Sequence, residues 1–124
     1  MGRTILYLAS DLIWATKIKS TADELGVNAR PARNADMLRA RLGDSDVAAL
    51  FLDLEAPEAA WSLLDALASE GAAERVRTIA WGPHVSTDLL AEAERRGAAT
   101  MTRGAFHAKL PKLLVELSSG DDKV

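Results

Sequence analysis

Five short apolar runs, each followed by a stretch whose apolar residues recur at helical spacing, limit what this chain can become. An unbroken apolar run suits a strand buried on both faces, whereas a strand with one wet face alternates apolar and polar residues. Such strands alternating with helices build a parallel sheet between two helical layers. In 124 residues there is room for one such domain, burying about two-thirds of the unfolded surface around a single core.

The first run, Ile5 to Leu8, precedes helical spacing from about Asp11 to Leu25, with Ala15, Ile18, Ala22 and Leu25 on one face and Gly26 as the stop. Val27 to Arg30 reads as a short second strand. Asn34 can cap a helix that turns Ala35, Leu38 and Leu42 inward, with Gly43 as its stop. Val47 to Leu52 is the third strand. Pro57 then suits a first helical turn, and Ala60, Leu63, Leu64 and Leu67 repeat at i, i+3, i+4, i+7 before Gly71. Val76 to Trp81 gives a fourth strand, broken by Gly82-Pro83; Ser86 or Thr87 can cap a helix with Leu89, Leu90 and Ala93 inward until Gly97. A fifth strand spans about Ala99 to Thr102. The last helix presents Phe106, Leu110, Leu113, Leu114 and Leu117, with Pro111 expected near its first turn, where a missing amide hydrogen is tolerated. One domain is expected over residues 1–118, followed by a polar tail over 119–124.

Composition removes several function classes. The 15 Lys plus Arg against 18 Asp plus Glu give a net charge of −3, whereas a general nucleic-acid or membrane-surface binder would carry a basic excess. Cysteine is absent, which excludes disulfides, thiolate metal sites and cysteine nucleophiles. No glycine-rich phosphate loop follows a strand, and no zinc-type ligand cluster is present. Ile5-Leu6-Tyr7-Leu8 is too short for a signal core or a membrane span, so a cytoplasmic protein is expected.

Five βα units around one core imply an α/β fold, a doubly wound five-stranded parallel sheet, for which the commonest, flavodoxin-like order 2-1-3-4-5 is taken. Its binding crevice lies beyond the carboxyl ends of strands one and three. The sequence places Ser10 and Asp11 at one of those ends and Asp53, which closes Ala48-Ala49-Leu50-Phe51-Leu52, at the other. Asp53 also has an account without chemistry, since the helix beginning at Pro57 favours negative charge ahead of it. Asp11 can serve as the cap of the first helix, which is its expected role.

Ile5-Leu6-Tyr7-Leu8 with Asp11, Leu50-Phe51-Leu52-Asp53-Leu54 with Pro57, and Gly97-Ala98 ahead of Arg103 and Phe106 resemble the CheY-like receiver domains of bacterial two-component response regulators, over residues 4 to 117. The resemblance implies that Asp53 stands where such domains accept a phosphoryl group from a histidine kinase. Because two anions must approach each other there, the site needs added positive charge. Receivers supply it with magnesium held by an acidic pair after strand one, a lysine after strand five, and a serine or threonine after strand four. Here those positions fall on Ala9 and Ser10, with Asp11 the following carboxylate, on Arg103, and on Gly82; the aromatic position of strand five falls near Thr100. Magnesium wants several hard oxygen ligands, and arginine grips oxyanions through a planar fork unlike the point charge of lysine. The chain thus resembles a degenerate pseudo-receiver, with the scaffold kept, no cofactor expected, and most partners of the phosphoacceptor position replaced.

On this reading the protein is a stand-alone, non-enzymatic signalling module that acts by protein–protein contact. Two other readings stay open. One is a phosphorylatable receiver in which Asp11 and Asp53 hold magnesium and Arg103 replaces the lysine. The other is a small flavodoxin-like binding or catalytic protein whose ligand sits near Asp11, Asp53 and His84. The resemblance also implies a histidine kinase or another signalling protein as partner, and pairing of two copies. The surface of the fourth helix, fifth strand and last helix would serve, where Arg95, Arg96, Lys109 and Lys112 would suit an acidic partner. Glu92 and Glu94 beside them favour a plain mixed-charge face. His84 has no nucleophile at a recognisable spacing and is expected in solvent, and His107 falls on the polar side of the last helix. Trp14 lies near the inner edge of the first helix and Trp81 closes strand four. Trp61 sits one step beyond the inward stripe of its helix and is expected to be partly buried.

Overall fold

The computed structural model describes residues 3–119. All but the first residue of the expected 119–124 tail lies outside the described residues. The chain alternates β1 (Thr4–Leu8), α1 (Leu12–Leu25), β2 (Ala29–Pro31), α2 (Ala35–Asp44), β3 (Val47–Asp53), α3 (Pro57–Ser69), β4 (Arg77–Gly82), α4 (Thr87–Arg95), β5 (Ala99–Thr102) and α5 (Arg103–Ser118). The strands form one parallel sheet, as the apolar runs imply, in the expected order β2-β1-β3-β4-β5.

Alternation along the central strands sends side chains to opposite faces. Leu6, Leu8, Leu50, Leu52 and Ala80 join the core under α2, α3 and α4, whereas Ile5, Tyr7, Ala49, Phe51, Ile79 and Trp81 join the core under α1 and α5. α3 turns Ala60, Leu63, Leu64 and Leu67 inward, all buried, and each leucine contributes about 1.5–3 kcal/mol of apolar burial. Asp11 caps α1 by accepting from the Trp14 amide at 2.9 Å, and Asn34 caps α2 by accepting from the Met37 amide at 2.8 Å. Gly26 closes α1 in the left-handed region, φ 72°, which a residue with a Cβ enters only under strain.

Several expectations are corrected. The second strand is Ala29–Pro31 rather than Val27 to Arg30. It is an edge strand, which tolerates Pro31, while Val27 serves the core. Gly43 does not stop α2 but lies inside it, and the helix ends at Ser45 in extended conformation. The fourth strand runs one residue later, through Gly82. Leu25 does not face inward: it is 41% exposed, because the turn at Gly26 carries the last residue of α1 off the sheet. Pro111 sits well inside α5, which begins at Arg103, so no amide from residue 111 reaches the carbonyl of His107. The neighbours Leu110 and Leu114 are fully buried, and that burial holds the helix together across the missing bond.

Candidate functional site

The pairing of β1 with β3, Leu8 opposite Leu52, carries the turn after β1 alongside Asp53 at the carboxyl edge of the sheet, within reach of Ser10. Asp53 is 1% exposed, and a carboxylate buried to that degree must be hydrogen-bonded. Ser10 supplies two donors to Oδ2, its backbone amide at 2.9 Å and its hydroxyl at 2.7 Å. The Glu55 amide donates to Oδ1 at 3.0 Å. Hydrogen bonds to an ionised acceptor are about twice as strong as neutral ones, so this clamp fixes the carboxylate and ties the β1–α1 turn to the β3–α3 turn. Sequence reading counted Ser10 only as a missing acidic residue; its role as the donor that anchors Asp53 joins residues 43 positions apart and left no local signal.

The other positions at this edge are disposed as follows. Asp11 is exposed, with one carboxylate oxygen on the α1 amide of Trp14. Ala9 offers only a methyl group. Gly82 is buried, and a Cβ built there would meet the Leu54 Cβ at 3.5 Å, an ordinary contact, so packing does not reserve the position for glycine. Arg103, the first residue of α5, forms an ion pair with Glu55 rather than with Asp53, and its Nε is buried without a partner. A magnesium ion needs about six oxygen ligands in near-octahedral geometry, several of them waters, drawn to a cluster of carboxylates. Among the described residues no group of three or more His, Cys, Asp or Glu is placed to hold a metal. Asp53 is already met by three donors, so the residues present do not fit the ion.

His84 is exposed beside Val85, itself 74% exposed, in line with a solvated loop histidine. His107 is a correction: it does not lie on a polar face. Its ring stacks on Trp14 with centroids 3.6 Å apart and planes at 20°, and it meets Trp81 and Phe106 edge-on at 6.2 and 5.2 Å. Burial, followed by the positive charges of Lys17 and Arg103, lowers its pKa from the ordinary imidazole value, with Asp53 pulling the other way. Beneath it Trp81, fully buried, stacks on Phe106 at 4.1 Å, and Phe106 meets Phe51 at 5.2 Å in a T-shape. Arg103 and His107, four apart on α5, share a face of that helix, the one sequence signal that could have found this cluster.

The basic residues of the last third are largely neutralised. Arg95 and Arg96 both bond the Glu92 carboxylate, and these hydrogen bonds hold its pKa below the usual carboxylate value. Arg96 also reaches Asp65 at 3.4 Å and lies 4.7 Å above the Trp61 ring. Trp61 is partly buried as expected. Lys112 approaches Glu116 at 3.9 Å, and Lys109 is exposed.

Among the described residues no helix is long and apolar enough to cross a membrane. No family model matches the chain, and no curated protein is similar to it in sequence. Solved structures are. A CheY-like protein, TadZ, from Pseudomonas aeruginosa PAO1 matches with a TM-score of 0.73 at 22% identity, over 94% of this chain and 99% of its own. The chemotaxis response regulator CheY4 of Vibrio cholerae matches with a TM-score of 0.75 at 13% identity, over 94% and 99%. A third match, with a TM-score of 0.72 at 16% identity over 98% and 92%, is the co-crystal of the Saccharomyces cerevisiae histidine phosphotransfer protein Ypd1 with the receiver domain of its downstream response regulator Ssk1. Identities this low speak to fold, and the fold of this chain is that of the CheY-like response-regulator receiver domains.

Proposed function

We propose that this protein is an atypical receiver-like signalling module that acts by protein–protein contact, without magnesium-dependent phosphorylation of Asp53 and without enzymatic activity. One observation carries the reading: the carboxylate at the phosphoacceptor position is buried and held by three donors from within the chain, Ser10 N, Ser10 Oγ and Glu55 N. A nucleophile must reach an in-line phosphoryl group with added positive charge at hand. Here the nearest arginine is paired with Glu55, and the position for a phosphoryl-binding hydroxyl is Gly82. The fold shared with a receiver solved beside a histidine phosphotransfer protein supports a signalling protein as the partner.

The test is incubation with a small-molecule phosphodonor and magnesium, followed by intact-mass spectrometry. The expected outcome is no phosphoryl adduct on the wild type and unchanged partner binding in Asp53→Asn. An adduct that Asp53→Asn abolishes would establish the phosphorylatable receiver instead.

A further inference from the structure

Among the described residues four buried polar atoms find no hydrogen-bond partner, and all belong to three residues on one side of the sheet: Trp81 Nε1, Arg103 Nε and both ring nitrogens of His107. Folded proteins leave few such atoms, and each asks for a reason. His107 is the one that titrates near neutral pH. Its stack on Trp14 joins α5 to α1 in the shared core of those two helices.

A neutral imidazole in this slot has one unmet donor and one unmet acceptor. An imidazolium would have two unmet N–H groups and a full charge. Lys17 from α1 and Arg103 from α5 repel that charge, and Asp53 from β3 attracts it while already bonded to Ser10 and Glu55. Attraction between the imidazolium and the Trp14 ring returns part of the loss but offers the N–H groups no acceptor.

We propose that His107 and Trp14 form an acid-sensitive seam between α1 and α5: the stack is closed while the imidazole is neutral, and protonation drives the ring toward solvent and frees the first turn of α1. That turn follows Ser10, whose amide and hydroxyl hold Asp53, and it carries Leu12 and Ile13, 80% and 75% exposed. Mild acid would thereby loosen the carboxyl edge without any covalent event, whether or not Asp53 is ever phosphorylated.

The sign follows from linkage. Burial keeps the folded-state pKa below the value of about 6.5 for an unfolded imidazole. As pH falls the unfolded chain binds the proton first. The stability from the neutral seam is therefore whole above about pH 6.5 and is lost as pH drops from there through the folded-state pKa.

The experiment is an NMR titration of the full chain from about pH 8 to about pH 5, following the histidine ring protons and the backbone amides, with thermal unfolding over the same range. His107 is expected to titrate with a midpoint below about 6.5, with the amides of Ser10, Leu12 and Trp14 moving at that same midpoint. The thermal midpoint of the wild type should fall across this window and that of His107→Phe, which keeps a ring but cannot titrate, should fall less. A midpoint at or above the free imidazole value, edge amides that ignore it, or an equal pH dependence in His107→Phe would each overturn the proposal. His107→Gln serves if the phenylalanine variant does not fold.

Discussion

On the face of the sheet covered by α2, α3 and α4 the buried hydrophobic side chains are leucine, alanine and valine, whereas under α1 and α5 Phe51, Trp81 and Phe106 are packed ring against ring. The first face also buries Thr78, level with Leu50, and leaves no unpartnered buried side-chain nitrogen or oxygen among the described residues. The second carries every unpartnered buried polar side-chain atom of the described residues, and it lies against the edge where Asp53 is held. A layer without titratable buried groups supplies burial. A layer that buries indole, guanidinium and imidazole nitrogens can respond to protons, so sensitivity belongs to one face and rigidity to the other.

The largest effect that tests this contrast comes from the two cores themselves. Leu63→Ala should cost about 2–5 kcal/mol and Phe106→Ala about 3–5 kcal/mol, measured by denaturant unfolding. Phe106→Ala should also shift the Trp81 signals and change the His107 titration, while Leu63→Ala should leave both alone. Equal disturbance of the His107 titration by the two variants would erase the distinction between the faces.

Asp53→Ala comes next, and its sign is informative. Where several carboxylates share a site, removing one relieves repulsion and stabilises the fold. Here the carboxylate faces donors, so its removal strands the Ser10 and Glu55 amides and should cost about 1–3 kcal/mol. A stabilised Asp53→Ala would mean that the edge is an acidic pocket after all. The smallest effects should be Asp11→Ala, about 1 kcal/mol from the lost cap of α1, and Arg96→Ala, about 0.5–1 kcal/mol from the lost contact with Trp61. Only the first of these should move the Trp14–His107 signals, because only Asp11 holds the turn on which Trp14 stands.

The ten elements and the place of Asp53 at the end of a buried strand were legible because they rest on periodicity, which each segment displays by itself, whereas the sheet order was taken from the commonest arrangement of such units and the structure has it. Gly43 and Pro111 misled because glycine and proline mark ends only where packing does not override them. Leu38 on α2, and Leu110 and Leu114 on α5, carry those helices past the marks. The site was half legible. Which residues stand at the carboxyl edge could be counted along the chain, but what each of them touches could not. Ser10 with Asp53, Glu55 with Arg103 and Trp14 with His107 are pairs brought together by the sheet register and the α1–α5 packing, at separations where no sequence spacing speaks.

Asp53 as a fixed structural anion and Asp53 as a phosphoryl switch predict opposite responses to magnesium and a phosphoryl mimic. The most direct measurement is the amide NMR spectrum of the wild type and of Asp53→Asn on adding magnesium and then beryllium fluoride, a mimic of a phosphoryl group on aspartate. A wild-type spectrum that keeps the Ser10, Asp53 and Glu55 amides in place through both additions is the predicted result. Shifts centred on Asp53 that are absent in Asp53→Asn would contradict it.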